Sequence, residues 1–85
     1  MNAGINHYSI QRIPLGTAKS HVVHSSDDIT KRAQSIRERG LYRPIRVTCL
    51  PDGAYLVVGE HLSFDACRYL GWNDMPAIVI ITGNG

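Results

Sequence analysis

The sequence lacks any long hydrophobic run. Its longest apolar stretch, Met75-Pro76-Ala77-Ile78-Val79-Ile80-Ile81, is far shorter than the roughly 18 residues that a membrane-spanning helix needs. Met1 to Asn6 offer neither the charged nor the apolar segment of a secretory signal. A soluble, cytoplasmic chain with no membrane partner is therefore expected. Cysteine is scarce: Cys49 and Cys67 are the only two, with no CxxC spacing, and both read as small buried hydrophobes in a reducing compartment. His21 and His24 flank Val22-Val23 without a further ligand nearby, so no metal site is expected there. An excess of one charge is also missing. Nine Lys and Arg against seven Asp and Glu give a net charge of +2, well below that of a stand-alone nucleic-acid binder, so any DNA contact needs a local cluster.

What is present suits one small globular domain. Of 85 residues, 44% are hydrophobic and 19% charged, and a chain of this size buries about 60–65% of its unfolded surface. Residues 1–7 are expected to be disordered, 8–82 to form the domain and 83–85 to trail from it. Tyr8-Ser9-Ile10-Gln11-Arg12-Ile13 alternates with period two and reads as a strand closed by Pro14. A loop with at most a brief extended piece follows, from Gly16 to His24. Ser25 or Ser26 can then cap a helix with Asp27 and Asp28 in its first turn, and Gly40 stops it. Ile29, Ala33 and Ile36 form its apolar stripe. Lys31, Arg32, Arg37 and Arg39 occupy the remainder, read as a solvated face with a DNA or nucleotide contact as the alternative.

Ile45 to Leu50 and Ala54 to Val58 alternate on either side of Pro51-Asp52-Gly53, the pattern of a β-hairpin. Val57-Val58-Gly59 leads into a second helix from Glu60 that ends at Gly71, with Trp72 placed to fold back on its last turn. Pro76 to Ile81 reads as a last strand buried on both faces. Strand, helix, hairpin, helix, strand makes an α+β domain: a small mixed sheet with two packed helices.

The turn at Gly59 holds the most chemistry, because the first amides of a helix lack intrahelical acceptors and its N-terminal dipole attracts anions. At ~100° per residue, His61, Asp65 and Arg68 share one stripe, with Leu62, Ala66, Cys67, Tyr69 and Leu70 opposite. His61 and Asp65 are spaced to touch, which serves either a prepared general base or an ordinary surface ion pair. Glu60 and Asp65 diverge by about 140° and cannot share a metal from this helix alone. Asp27, Asp28 and Asp52 are taken by caps and a turn. Ser63 and His61 fall on different faces.

The run Ile36-Arg37-Glu38-Arg39-Gly40-Leu41-Tyr42-Arg43-Pro44-Ile45-Arg46-Val47 comes first, followed by Pro51-Asp52-Gly53-Ala54-Tyr55 and Val58-Gly59-Glu60. Leu70-Gly71-Trp72 and Met75-Pro76-Ala77-Ile78-Val79 complete the pattern. Together these segments resemble the N-terminal domain of ParB, the partition protein, within the ParB/sulfiredoxin superfamily. The resemblance implies that fold and a nucleotide-phosphate site. In such domains the glycine is followed by Glu-Arg-Arg-x-Arg-Ala, whose arginines hold phosphates. Here His61, Leu62 and Phe64 stand where the arginines would be, the segment to Leu70-Gly71 is one residue longer, and the family's Gln-Pro-Ile is Arg43-Pro44-Ile45. In sulfiredoxins the motif is Gly-Cys-His-Arg; Glu60 replaces its catalytic cysteine and only His61 matches, which disfavours that activity.

A charge-assisted phosphate contact contributes roughly 1.5–3 kcal/mol, so the lost arginines imply a weakened or altered site unless Arg43, Arg46 or Arg68 compensates. The leading expectation is a ParB-like domain in DNA partition or regulation, of a plasmid or phage or as part of a longer protein. It would bind a nucleoside triphosphate with Mg²⁺ through Arg43, Pro44, Gly59, Glu60 and His61. DNA would be engaged with another domain or protein, because ParB's helix-turn-helix and dimerisation segments are not among these residues. One alternative is a ParB-like nuclease or phosphotransfer enzyme, with Glu60 and His61 catalytic and Glu60 a metal ligand. Another is a protein-interaction module or homodimer built on Tyr42, Tyr69 and Trp72.

Overall fold

The computed structural model describes residues 7–41 and 43–81. Strand β1 (His7–Pro14) leads through a 3₁₀ turn (Leu15–Thr17) to the short β2 (Ala18–Lys19) and then to helix α1 (Ser26–Arg39). Strands β3 (Ile45–Cys49) and β4 (Tyr55–Gly59) precede helix α2 (His61–Tyr69), and β5 (Asp74–Ile81) is the last described element. The five strands lie in the order β1-β5-β3-β4-β2. β1 runs antiparallel to β5 and β3 antiparallel to β4, while β3 is parallel to β5 and β2 to β4. The sheet is mixed and the fold α+β, as the sequence pattern predicts. The expected disorder of residues 1–6 and the tail 83–85 lie outside the described residues, and β1 begins at His7, one residue before the expected Tyr8.

Local chemistry accounts for the element ends. Ser25 caps α1, its Oγ accepting from the Asp28 amide at 3.1 Å. Gly40 closes the helix at φ 84°, a left-handed region that strains residues with a Cβ. In the hairpin the Ala54 amide donates to Asp52 Oδ1 at 3.0 Å and Leu50 N to Ala54 O at 2.8 Å. α2 ends in a double hydrogen bond, Trp72 N to Cys67 O and Gly71 N to Arg68 O, both 3.0 Å. That is the glycine-closed motif expected there, and Trp72 packs against the core.

Ile13, Ile45, Val47, Val57, Met75, Ala77 and Val79 from the sheet join Ala33, Ile36, Phe64, Ala66 and Cys67 from the helices in a single core. The sheet contributes alternate residues only, so both helices cover the same face. This corrects three expectations. β5 is buried on one face, not both, because no element of the described residues covers the other; Ile78 and Ile80 are half-exposed there. Cys49, the last residue of β3, points outward and is exposed. The inner face of α2 is set by Phe64, its largest apolar side chain, with Ser63, Ala66 and Cys67. Tyr69, predicted to face inward, is 61% exposed.

Candidate functional site

The β3–β4 register shifts between Arg46 and Val47, so that Arg46 lies opposite Gly59 while Val47 lies opposite Val57. Such a bulge bends the strand and re-aims the residues around it. Arg46 lies across Gly59, and a Cβ at that position would meet its guanidinium. The next residue, Glu60, has φ 60° and ψ 42°, the left-handed conformation, and is the one non-glycine with positive φ among the described residues. A residue with a Cβ pays about 1 kcal/mol for that geometry, which persists where its surroundings enforce it. Here the Glu60 carbonyl accepts the Phe64 amide at 3.2 Å, and Oε2 lies 3.9 Å from Arg43 Nη1. The Glu60 side chain does not cap α2.

A cleft of about 460 Å³ opens beside this turn. Arg32, Ser35 and Arg39 of α1 form one wall, and Gly40, Leu41 and Arg43 carry the lining round. Glu60 and Ser63 of α2 face them. Three guanidinium groups therefore meet one carboxylate. Arg32 Nη1 donates to Ser63 Oγ at 3.1 Å, which satisfies a hydroxyl that is 4% exposed and ties α1 to the first turn of α2.

Of the residues singled out from the sequence, Arg43 and Glu60 come together in the cleft. Gly59, Pro44 and His61 adjoin them in the chain but are not in its lining. Arg46 covers Gly59, and Arg68 lies on two other grooves. Phe64 is fully buried. The expected His61–Asp65 pair is not made. Asp65 Oδ2 instead lies 2.9 Å from His24 Nδ1, and Oδ1 lies 4.0 Å from Arg68 Nη1. Tyr42 is outside the described residues, and Trp72 is half-buried, so the proposed aromatic surface reduces here to Tyr69.

Arg32 and Arg39 belong to the charged helix face read mainly as solvated, with a nucleotide contact as the alternative, and Ser35 and Ser63 were not assigned to the site. The spacing of three and four between Arg32, Ser35 and Arg39 places them on one helical face, a signal that was available. Among the described residues no group of three or more His, Cys, Asp or Glu is arranged to hold a metal.

Residues 2–83 match the sequence profile of the ParB N-terminal domain. The chain belongs to that family. Three solved structures show the same fold as this ParB N-terminal domain. The C-terminally truncated ParB of Caulobacter crescentus, complexed with CTP-γ-S, is 23% identical with a TM-score of 0.75, over 89% of this chain and 46% of that one. Sulfiredoxin from Arabidopsis thaliana is 23% identical with a TM-score of 0.70, over 84% and 83%. A free serine kinase in complex with AMP is 19% identical with a TM-score of 0.78, over 88% and 32%. The ParB domain described here thus spans about half of the partition protein's chain and a third of the kinase's. No curated protein sequence matches it significantly.

Proposed function

We propose that this ParB N-terminal domain binds the phosphates of a nucleotide in the cleft between α1 and the start of α2, as the ligand-sensing part of a system for DNA partition or regulation. The observation that carries the reading is the meeting of Arg32, Arg39 and Arg43 with a single carboxylate, Glu60, beside the first turn of α2. Guanidinium forks and helix N-termini both favour phosphate oxygens. The nucleotide complexes of the partition protein and the serine kinase, built on the same fold, support the reading.

Magnesium fits this arrangement as a companion of the ligand. It is commonly held by one or two carboxylates together with substrate phosphates, and Glu60 is the carboxylate present. The ion would neutralise phosphate charge that Glu60 otherwise repels.

The test is the melting temperature with each of the four ribonucleoside triphosphates and magnesium at about 1 mM. A dissociation constant near 10 μM would stabilise by about 2.7 kcal/mol, which for a domain of this size raises the melting temperature by about 10 °C or more. Absence of a shift with all four overturns the proposal. The strained backbone of Glu60, inside the cleft, favours a second reading in which its carboxylate takes part in phosphotransfer or phosphodiester cleavage. Metal-dependent turnover lost in Glu60→Gln, with the fold intact, would separate that reading from binding alone.

A further inference from the structure

We infer that α1, through Arg32 and Arg39, makes the main phosphate contacts of the cleft, and that these residues select an oligophosphate over a single phosphate group. The inference rests on the nucleotide-phosphate reading of the cleft and adds which element binds and what it selects.

The first turn of α2 brings the cleft a carboxylate and a hydroxyl, Glu60 and Ser63, but no cation. The one guanidinium of that helix, Arg68, is in its last turn, 5.4 Å over the Phe64 ring. Cationic recognition must therefore come from elsewhere. On α1, Arg32, Ser35 and Arg39 share a face that Ile36, 5% exposed, anchors to the core.

Charge pairing is consistent with this face, although Lys19, Arg37 and Arg46, outside the cleft lining, also lack an ion pair with a carboxylate among the described residues. Arg12 is matched by Asp74 at 2.6 Å and Lys31 by Asp27 at 3.4 Å. Arg32 instead donates to the neutral hydroxyl of Ser63, and Arg39 has no acidic partner among the described residues. Two guanidiniums without a counter-charge, both lining one concave surface, are matched by an anion.

Spacing then constrains the anion. Seven helical residues advance about 10.5 Å, so the two side chains leave the helix two turns apart with Ser35 between them. One tetrahedral phosphate engages one fork well, whereas a chain of two or three phosphates can engage both. Arg43, across the Gly40 turn, closes the far side.

Calorimetric titration of the whole chain with orthophosphate, tripolyphosphate and the magnesium ribonucleoside triphosphates tests this. Tripolyphosphate or a triphosphate nucleotide should bind at least about tenfold more tightly than orthophosphate. Arg39→Gln and Arg32→Gln should each weaken that binding by about tenfold or more, the usual scale of a charge-assisted contact. Arg37→Gln removes the same charge from the same helix outside the cleft lining and should leave affinity unchanged. Arg39 and Arg37 are both exposed, so neither substitution threatens the fold. Equal weakening by Arg37→Gln and Arg39→Gln would reduce the effect to net charge and overturn the inference. Loss of nucleotide binding in Arg43→Gln but in neither α1 variant would overturn it while leaving the nucleotide reading in place. Failure of every ligand to bind would overturn both. Equal affinity for tripolyphosphate and nucleotide would support it and show that phosphates alone are read.

Discussion

His24 meets Asp65 across 41 residues of sequence, its Nδ1 lying 2.9 Å from Oδ2. The contact fastens the segment after β2 to the middle of α2. Only 20% of the His24 side chain and 15% of the Asp65 side chain are exposed, so water replaces the partner poorly when one is removed. Asp65→Asn and His24→Ala should each lower stability by about 1 kcal/mol, or about 5 °C in melting temperature. The double variant should lose less than the two separate losses combined. Urea unfolding of all four proteins gives the coupling, and strict additivity would show that the pair contributes nothing jointly.

Glu60 couples backbone strain to ligand binding. Glycine adopts its left-handed conformation without the Cβ penalty, so Glu60→Gly should raise the melting temperature by a few degrees, a gain of about 0.5–1 kcal/mol. The same change deletes the carboxylate that lies 3.9 Å from Arg43, so the dependence of nucleotide affinity on magnesium should weaken. A thermal scan with and without ligand reads both effects. A variant less stable than the parent would mean that Glu60 is held there by contacts worth more than the strain.

Cys67 makes the domain sensitive to alkali. Burial pushes its thiol from 9.0 up to about 11, because the thiolate would sit in the core. The folded pKa is the higher one, so the stabilisation from keeping the thiol protonated is complete below about pH 9 and is lost as pH rises through about 11. Between those values the parent should lose about 2 kcal/mol more than Cys67→Ala loses. Denaturant titrations at pH 8 and pH 11 provide the comparison. At neutral pH a thiol reagent should modify the exposed Cys49 and spare Cys67 until the chain unfolds.

Local chemistry carried the legible part of the fold. Ser25 and Gly40 bound α1, Pro51-Asp52-Gly53 marks the hairpin, and Gly71 with Trp72 closes α2, each acting within a few residues of chain. The facing of α2 was harder to read. A helix of nine residues with apolar side chains at Leu62, Phe64, Ala66, Cys67 and Tyr69 offers competing stripes, and contact with the sheet settles which is buried. Glu60 could be placed by its adjacency to Gly59, whereas Arg43 was legible only through the resemblance of Arg43-Pro44-Ile45 to the family's Gln-Pro-Ile. Arg32 and Arg39 could be placed on one face of α1, but that this face borders α2 depends on how the two helices cross. The choice of His24 over His61 as the partner of Asp65 depends likewise on a loop whose path no periodicity encodes.

The pairing of β1 with β5 begins at His7 and Ile81 and runs to Pro14 and Asp74. The two ends of the described fold therefore leave it side by side, about 5 Å apart, the separation of antiparallel partners. A pull applied through these ends meets the ladder from its open end, so the edge strand peels one residue pair at a time, starting at His7. The domain is mechanically soft along that line, because each step breaks one rung instead of shearing the whole ladder together.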